Sequence, residues 1–366
     1  MSNKPKYLVI KNQLKELILS GKYPTGSKIP SEANLREQFG VSRHTIRQSI
    51  AELVNEGFLK KEQGSGTYVN DQYQQRVKDK NMKTIGVITT YLSDYIFPSI
   101  IRGMEETLSD NGYSLLLSST QNDVQNEKRS LEMMLEKQID GLIIEPTKSA
   151  LLNPNLNYYL KIQEAGIPFV SINASYEELE VPEIRIDDTL ANERLTNHLL
   201  DLGHERISMI TKTDDMQGKS RMKGFIRAFS KKNKSFDNKL IVTFDTETKG
   251  ELARRIRDLL NLEEGPTAFV CYNDQIAMTV IEQINAIGKR VPEDFSIVSH
   301  DNSFLSTASD IKLTSINHPK EQLGIEAANW IIQALEKSSF KKESIIYQPE
   351  LIIRESSKIL SNTNKK

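Results

Sequence analysis

The chain has 366 residues, 38% of them hydrophobic, with a single cysteine, Cys271; this allows two or three domains with sizeable cores and excludes an internal disulfide framework. No apolar run is long enough for a membrane span and the N-terminus MSNKPKYLVI is too polar for a signal peptide, so the expectation is a cytoplasmic protein with no membrane partner. The net charge of −1 hides an asymmetry: residues 1–80 hold 14 Lys+Arg and 8 Asp+Glu (+6) and the rest 34 and 41 (−7), which points to a basic head that alone meets a polyanion.

In chain order, KYLVIKNQLKELIL over 6–19 sets Tyr7, Ile10, Leu14, Leu17 and Ile18 at helical spacing, and Gly21 stops this amphipathic helix. A turn through Pro24-Thr25-Gly26 leads to SEANLREQFGVSRHTIRQSI over 31–50, which reads as two short helices with a break. Leu35 and Phe39 share one face of the first helix, Gly40 ends it, Val41 enters the small core and Ser42 caps the second. There Ile46, Ile50, Leu53 and Val54 form the buried stripe. Arg43, His44, Thr45 and Arg47 remain facing outward near the helix start, a set that can take phosphates and base edges. Strands at 58–61 and 67–69 around Gln63-Gly64-Ser65-Gly66 complete a winged-helix plan.

The order of Tyr7, Gly26, the KIPSE run, Leu35, FGVSR, Arg47 and the late Gly-Ser-Gly-Thr resembles the GntR family of bacterial transcription regulators over nearly all of residues 6–69. The resemblance implies a recognition helix in the major groove of double-stranded operator DNA and a wing tip at the minor groove. By position it assigns DNA contact to Lys6, Glu32, Ser42, Arg43, His44, Thr45, Arg47, Gln63 and Gly64. Glu32 would either accept from cytosine N4 or orient an arginine. Ala33 departs from relatives that carry a DNA-contacting arginine there.

Residues 71–82, DQYQQRVKDKNM, have no apolar period and read as a linker between a DNA-binding domain at 1–70 and a second domain at 83–366. From Lys83 the pattern alternates continuous apolar strands with amphipathic helices: strands at 84–89, 113–118, 141–145 and 168–172 with helices at 97–110, 124–138 and 156–165 between and after them. A second run has helices at 189–202, 218–232, 248–261 and 274–287 and strands at 206–210, 240–244, 268–271 and 296–299. Two such runs predict an α/β body of two lobes, each a doubly wound parallel sheet, with a site between them at the strand C-termini.

The segments IGVI, DGLII, GIPFVSIN, HLLDLGHERISMI, CYNDQIAM, VPEDFSIVSHDN and PELIIRES resemble the effector domain of the LacI family, which is periplasmic binding protein-like, over roughly 83–356. Such a body implies a small-molecule sugar effector and a homodimer, and its uncommon pairing with a GntR-type head favours L-arabinose as that sugar. A sugar needs planar polar groups for its hydroxyls and an aromatic face for its C–H side. The resemblance and this chemistry together nominate Arg221 in RMKGF, Asn273 after a strand end, Asp301 at the next, Glu145 and Lys148 after DGLII, His318 in INHP, and Phe97 with Tyr91 as the aromatic wall. Asn173 is placed behind them, and Asp274 is read as a helix cap.

No catalytic, metal-binding or cofactor constellation is expected, since the five histidines lack ligand spacing and no nucleophile or phosphate-loop motif occurs. The expected function is a transcriptional repressor released by its sugar. The alternatives are a ligand-activated regulator or a sugar-binding transport component.

Overall fold

The computed structural model describes residues 5–62, 65–70, 83–93, 95–337, 339–341 and 343–360. It divides into two compact units, Met1–Met82 and Lys83–Lys366.

The first unit packs α1 (Lys6–Leu19), α2 (Glu32–Phe39) and α3 (Arg43–Asn55) against a hairpin of β1 (Leu59–Glu62) and β2 (Gly66–Val69). Its local geometry follows the sequence. Ser31 and Ser42 each accept a hydrogen bond from the backbone N–H three residues on, at 3.2 Å, and so start α2 and α3. Gly40, at φ 63°, takes the left-handed conformation that ends α2. Leu14, Leu35, Ile46, Ile50, Leu53, Leu59 and Val69 form the core, and Phe39, Val41 and Val54 pack half-buried around it. β1 and β2 pair antiparallel from Leu59–Val69 to Glu62–Gly66. Residues 27–29 pair with β2 on its other side: Val69 N–H donates to Ser27 O at 2.9 Å and Ile29 N–H to Thr67 O at 3.0 Å.

The second unit holds two six-stranded sheets, one parallel throughout and the other parallel except at the pairing of its last strand. Lobe 1 contains β3 (Thr84–Thr89), α4 (Phe97–Asp110), β4 (Ser114–Ser119), α5 (Val124–Glu136), β5 (Gly141–Ile144), α6 (Leu156–Glu164), β6 (Phe169–Ile172) and β7 (Glu183–Ile186). The chain then builds lobe 2 with α7 (Asp188–Asp201), β8 (Ile207–Lys212), α8 (Met216–Lys231), β9 (Ile241–Phe244), α9 (Leu252–Leu260), β10 (Ala268–Cys271), α10 (Asp274–Ala286), β11 (Ser296–Asp301), the short α11 (Leu305–Ala308) and β12 (Thr314–Asn317). It returns to lobe 1 with α12 (Lys320–Glu336) and β13 (Ile345–Tyr347), and crosses once more to place β14 (Glu350–Ile352) on the edge of the second sheet. The sheet orders are β13-β7-β6-β5-β3-β4 and β14-β12-β11-β10-β8-β9.

The lobes are therefore not successive halves of the chain. The sequence reading missed β7, β12, β13, β14, α11 and α12. The four strands hold three or four residues each and lack the four-residue, mostly apolar run that marks the equally short β5, β6, β9 and β10. α12 completes lobe 1: Leu323, Ala327, Trp330 and Ile331 join Ile85, Ile100, Met104 and Val170 in one core. Its contact with α4 is backbone-close. A Cβ on Gly103 would lie 2.3 Å from Glu321 O, and one on Gly324 would lie 2.1 Å from Ile100 O. Lobe 2 repeats the device, since a Cβ on Gly224 of α8 would lie 2.2 Å from Thr189 O of α7.

Candidate functional site

In the first unit, α3 presents Arg43, His44 and Arg47 as exposed side chains, with Ser42 exposed and Thr45 half-buried at its start. Glu32 Oε2 accepts from Arg43 Nε at 3.3 Å and Arg47 Nε at 2.9 Å, so one carboxylate on α2 holds both arginines of α3. The guanidinium faces that meet a phosphate or a guanine edge are the terminal nitrogens, which these bonds leave aside. Ser42 Oγ also lies 2.8 Å from Thr45 Oγ1. Ser49 Oγ donates to Tyr7 O at 2.8 Å, which brings the start of α1, and with it exposed Lys6, to α3. Ala33 is exposed beside Glu32. Gln63 and Gly64 lie outside the described residues.

In the second unit, a cavity of about 190 Å³ lies between the lobes. It is lined by residues that leave the C-terminal ends of strands from both sheets, the position where open α/β sheets bind ligands. Lobe 1 contributes Thr90 after β3, Glu145 after β5 and Asn173 after β6. Lobe 2 contributes Lys212 at the end of β8, Phe244 of β9, Tyr272 and Asn273 after β10, and Asp301 of β11. Asp188 and His318 line it from crossings between the lobes. Tyr91, Phe97, Glu145, Arg221, Asn273, Asp301 and His318 are thus brought to one cavity.

Lys148 is the effector candidate that the structure does not set against this space. It sits at φ 44°, its N–H donates to Asn122 Oδ1 at 2.8 Å, and its ammonium lies 2.5 Å from Glu247 of the opposite lobe. The turn after Glu145 carries Lys148 past the cavity to the seam between the lobes.

Arg221 is the most constrained cation. Its Nε donates to Asp188 Oδ1 at 2.8 Å, Nη2 lies 3.8 Å from Asp301 Oδ1, and the guanidinium stacks 4.7 Å from the Tyr272 ring centre. Burial works against this cation, but Asp188 and Asp301 outweigh it and hold the proton more tightly than usual. Asp188 is pushed up to about 6 by burial, with Arg221 pulling it back. Asp301 itself adopts φ 92°, a conformation that costs a non-glycine residue energy and is kept at functional sites. Nearby, Tyr272 Oη donates to Asp215 Oδ2 at 2.6 Å, and Lys212 Nζ lies 3.2 Å from the same carboxylate. Four carboxylates, Glu145, Asp188, Asp215 and Asp301, thus face three cations, Lys212, Arg221 and Lys249, around the cavity, and Tyr91 and Phe97 meet edge to face at 5.7 Å on its wall. Such a lining suits a neutral polyhydroxylated ligand better than an ion.

Asn273 and Asp274 exchange the roles that their order suggests. Asn273 is the cap of α10, accepting from Ile276 N–H at 3.0 Å, while it also faces the cavity. Asp274 is fully buried and accepts from Ser303 N–H at 2.7 Å, Ser303 Oγ at 2.8 Å, Ser315 Oγ at 2.9 Å and the Ser299 hydroxyl. It ties the ends of β11 and β12 to α10 and does not cap. Asp188, Tyr272, Lys212 and Asp215 escaped the sequence reading. Asp188 follows β7, a strand that went unrecognised, so its strand-end position gave no signal.

The lobes are joined on both sides of the cavity. Tyr95 of lobe 1 accepts from Asp274 N–H at 3.1 Å and donates to His300 O at 3.4 Å. Elsewhere Asn122 Nδ2 donates to Asp214 Oδ2 at 3.1 Å and Thr246 Oγ1 at 2.6 Å, Met216 N–H to Ser149 Oγ at 2.9 Å, and Lys219 Nζ to Ala150 O at 2.7 Å. Among the described residues no cluster of His, Cys, Asp and Glu could hold a metal ion, and no helix is long and apolar enough to cross a membrane.

Residues 6–69 match the family described as bacterial regulatory proteins, gntR family, and residues 196–357 match the periplasmic binding protein-like domain. The transcription regulator CcpA of Lactococcus lactis has a similar structure, with a TM-score of 0.67 at 28% identity over 76% of this chain and 100% of that one. Over 359 residues the chain is 48% identical to the arabinose metabolism transcriptional repressor of Geobacillus stearothermophilus, covering 97% of this chain and 98% of that protein. Over 363 residues it is 46% identical to the protein of the same description from Halalkalibacterium halodurans, covering 96% of each. A winged head whose α3 carries Arg43 and Arg47, joined to a two-lobed body with a polar cavity and aligned with these relatives along nearly its whole length, belongs to the family of arabinose metabolism transcriptional repressors.

Proposed function

We propose that this repressor holds operator DNA through the first unit and releases it when L-arabinose fills the cavity of the second, so that sugar-utilisation genes are expressed in the cytoplasm only when the sugar is present. The observation that carries this is the cavity itself: hydrogen-bonding groups at eight strand ends and crossings, of both charges and nearly neutral in sum, beside an aromatic wall. Arg221, Asp301, Asn273 and His318 take ligand hydroxyls, and Phe97 with Tyr91 covers the sugar's apolar face. Glu145 acts from behind, and Lys148 contributes through the lobe seam. On DNA, Arg43 and Arg47 read bases or phosphates in the orientation that Glu32 imposes, with Ser42, His44, Thr45, Lys6 and the wing residues Gln63 and Gly64 beside them. The domains run 1–70 and 83–366 about a linker, and two copies bind a near-palindromic site.

Linkage requires sugar and DNA to weaken each other by the same factor, typically worth about 1–3 kcal/mol. The test is operator binding by the full-length protein with and without L-arabinose. Affinity should fall on the order of 5- to 150-fold with the sugar; unchanged or tighter binding would sink the inducer reading.

A further inference from the structure

We propose that His318 meets its ligand as a hydrogen-bond acceptor, through Nδ1, and that Glu145 sets this polarity at a distance through Asn173. The proposal rests on the sugar-binding reading of the cavity, and its test can fail separately from that reading.

The argument follows one chain of hydrogen bonds. Glu145 Oε2 accepts from Thr90 N–H at 2.9 Å and from the Thr90 hydroxyl. Its Oε1 accepts from Asn173 Nδ2 at 2.8 Å. A backbone N–H can only donate, so the Oε2 position must be an acceptor. With Oε1 accepting as well, the carboxylate takes the NH2 end of the Asn173 amide and turns its oxygen the other way. That oxygen, Oδ1, lies 3.1 Å from His318 Nε2. Two acceptors cannot share a hydrogen bond, so Nε2 carries the ring proton and Nδ1 of the neutral imidazole keeps its lone pair.

Nδ1 is the end that matters for a ligand. His318 is only 6% exposed, lines the cavity, and its Nδ1 has no hydrogen-bond partner among the described residues. A buried polar atom without a partner costs free energy that a ligand can recover. The ligand group that recovers it must donate. A hydroxyl fits; a carboxylate or carbonyl oxygen in the same place would face a lone pair. The His318 subsite thus selects a sugar that carries a hydroxyl there over the corresponding oxidised sugar. Glu145, with its oxygens engaged within the protein, is a positioning residue for this choice and does not itself hold the ligand.

Glu145→Gln tests the relay without changing side-chain volume. The position facing Thr90 N–H must remain oxygen, so the new NH2 faces Asn173. The Asn173 amide then reverses, its NH2 donates to His318 Nε2, and the ring proton moves to Nδ1. Long-range 1H–15N spectra of the full-length protein labelled on histidine nitrogen read the tautomer directly, with the His318 signals identified by their loss in His318→Gln. The expected result is Nε2–H in the wild type and Nδ1–H in Glu145→Gln, with L-arabinose affinity at least about tenfold weaker in the variant by calorimetry. An Nδ1–H wild type, or the same tautomer in both proteins, overturns the relay. Unchanged sugar affinity in a variant whose tautomer has reversed overturns the ligand-facing role. If the wild type binds no pentose, the functional reading fails, and the tautomer comparison in the free protein still decides the relay.

Discussion

Arg221 and Asp188 stand 2.8 Å apart with almost no solvent contact, a pair that either partner alone would make costly. The pair gives the cavity a cation fixed in direction, which a flexible surface arginine would not. His318 is the second buried titratable group on the wall, and burial pulls its pKa down to about 4 from the ordinary 6.5. It therefore folds neutral. Its contribution to stability is present above pH 6.5 and lost as pH falls through about 4, a full difference of about 3 kcal/mol. His300, lowered well below 6.5 by burial, acts in the same sense. Asp188 and Asp274, both pushed up to about 6 by burial, act oppositely, because their contribution is lost as pH rises through that value. The comparison that isolates His318 is His318→Gln against wild type, followed by denaturant unfolding from pH 7 to 4. The stability difference should shift in favour of the variant across that range by up to about 3 kcal/mol; parallel curves would show that His318 does not fold neutral.

Helix pairs decide how the elements fit. α7 and α8 meet where Gly224 leaves room for Thr189 O and Glu193 N, and α4 and α12 meet at Gly103 and Gly324. At these points the neighbours are backbone atoms, which cannot yield as a flexible side chain can. Gly224→Val should force the helices apart and destabilise the second unit by at least about 1–3 kcal/mol, the usual cost of overpacking. Arg221 lies three residues before Gly224 on α8, and Asp188 opens α7. The same variant should therefore misalign their ion pair and weaken sugar binding. Equal thermal midpoints and sugar affinity for variant and wild type would refute this.

At the scale of the molecule, each unit has its own core, with Leu35, Ile46 and Leu53 in the first and separate clusters around each sheet of the second. The cavity is lined entirely from the second unit. A protein comprising residues 83–366 should then bind sugar within about threefold of full-length affinity, while losing operator binding. Calorimetry and gel shift check the two halves. A truncated protein that folds, by circular dichroism, yet binds no sugar would show that the first unit is needed to form the site. Within the second unit, the bonds from Asn122, Ser149 and Ala150 to Asp214, Met216 and Lys219, with Tyr95 reaching His300 and Asp274, are those a ligand-driven opening or closing would remake.

The sequence by itself determined the winged head, because its caps, glycines and apolar stripe are local signals read over four to fourteen residues. It also determined the alternating α/β body, since buried parallel strands are continuous apolar runs whatever their order. Seven of the eight effector candidates reach the cavity, most through a position at a strand end or adjoining helix, and Arg221 and His318 through the family resemblance of RMKGF and INHP. Only the tertiary structure decided the rest. That α12 and β13 return to lobe 1 depends on contacts between residues more than two hundred positions apart, such as those of Leu323 and Trp330 with Ile100 and Met104, which leave no periodic trace. Lys148 points to the seam and Asp188 to Arg221 because a turn and an unrecognised short strand aim them there. Likewise Asn273 caps and Asp274 anchors by a one-residue difference in direction. Side-chain chemistry is written in the sequence, but direction is set by packing, and at this site direction separates a ligand contact from its support.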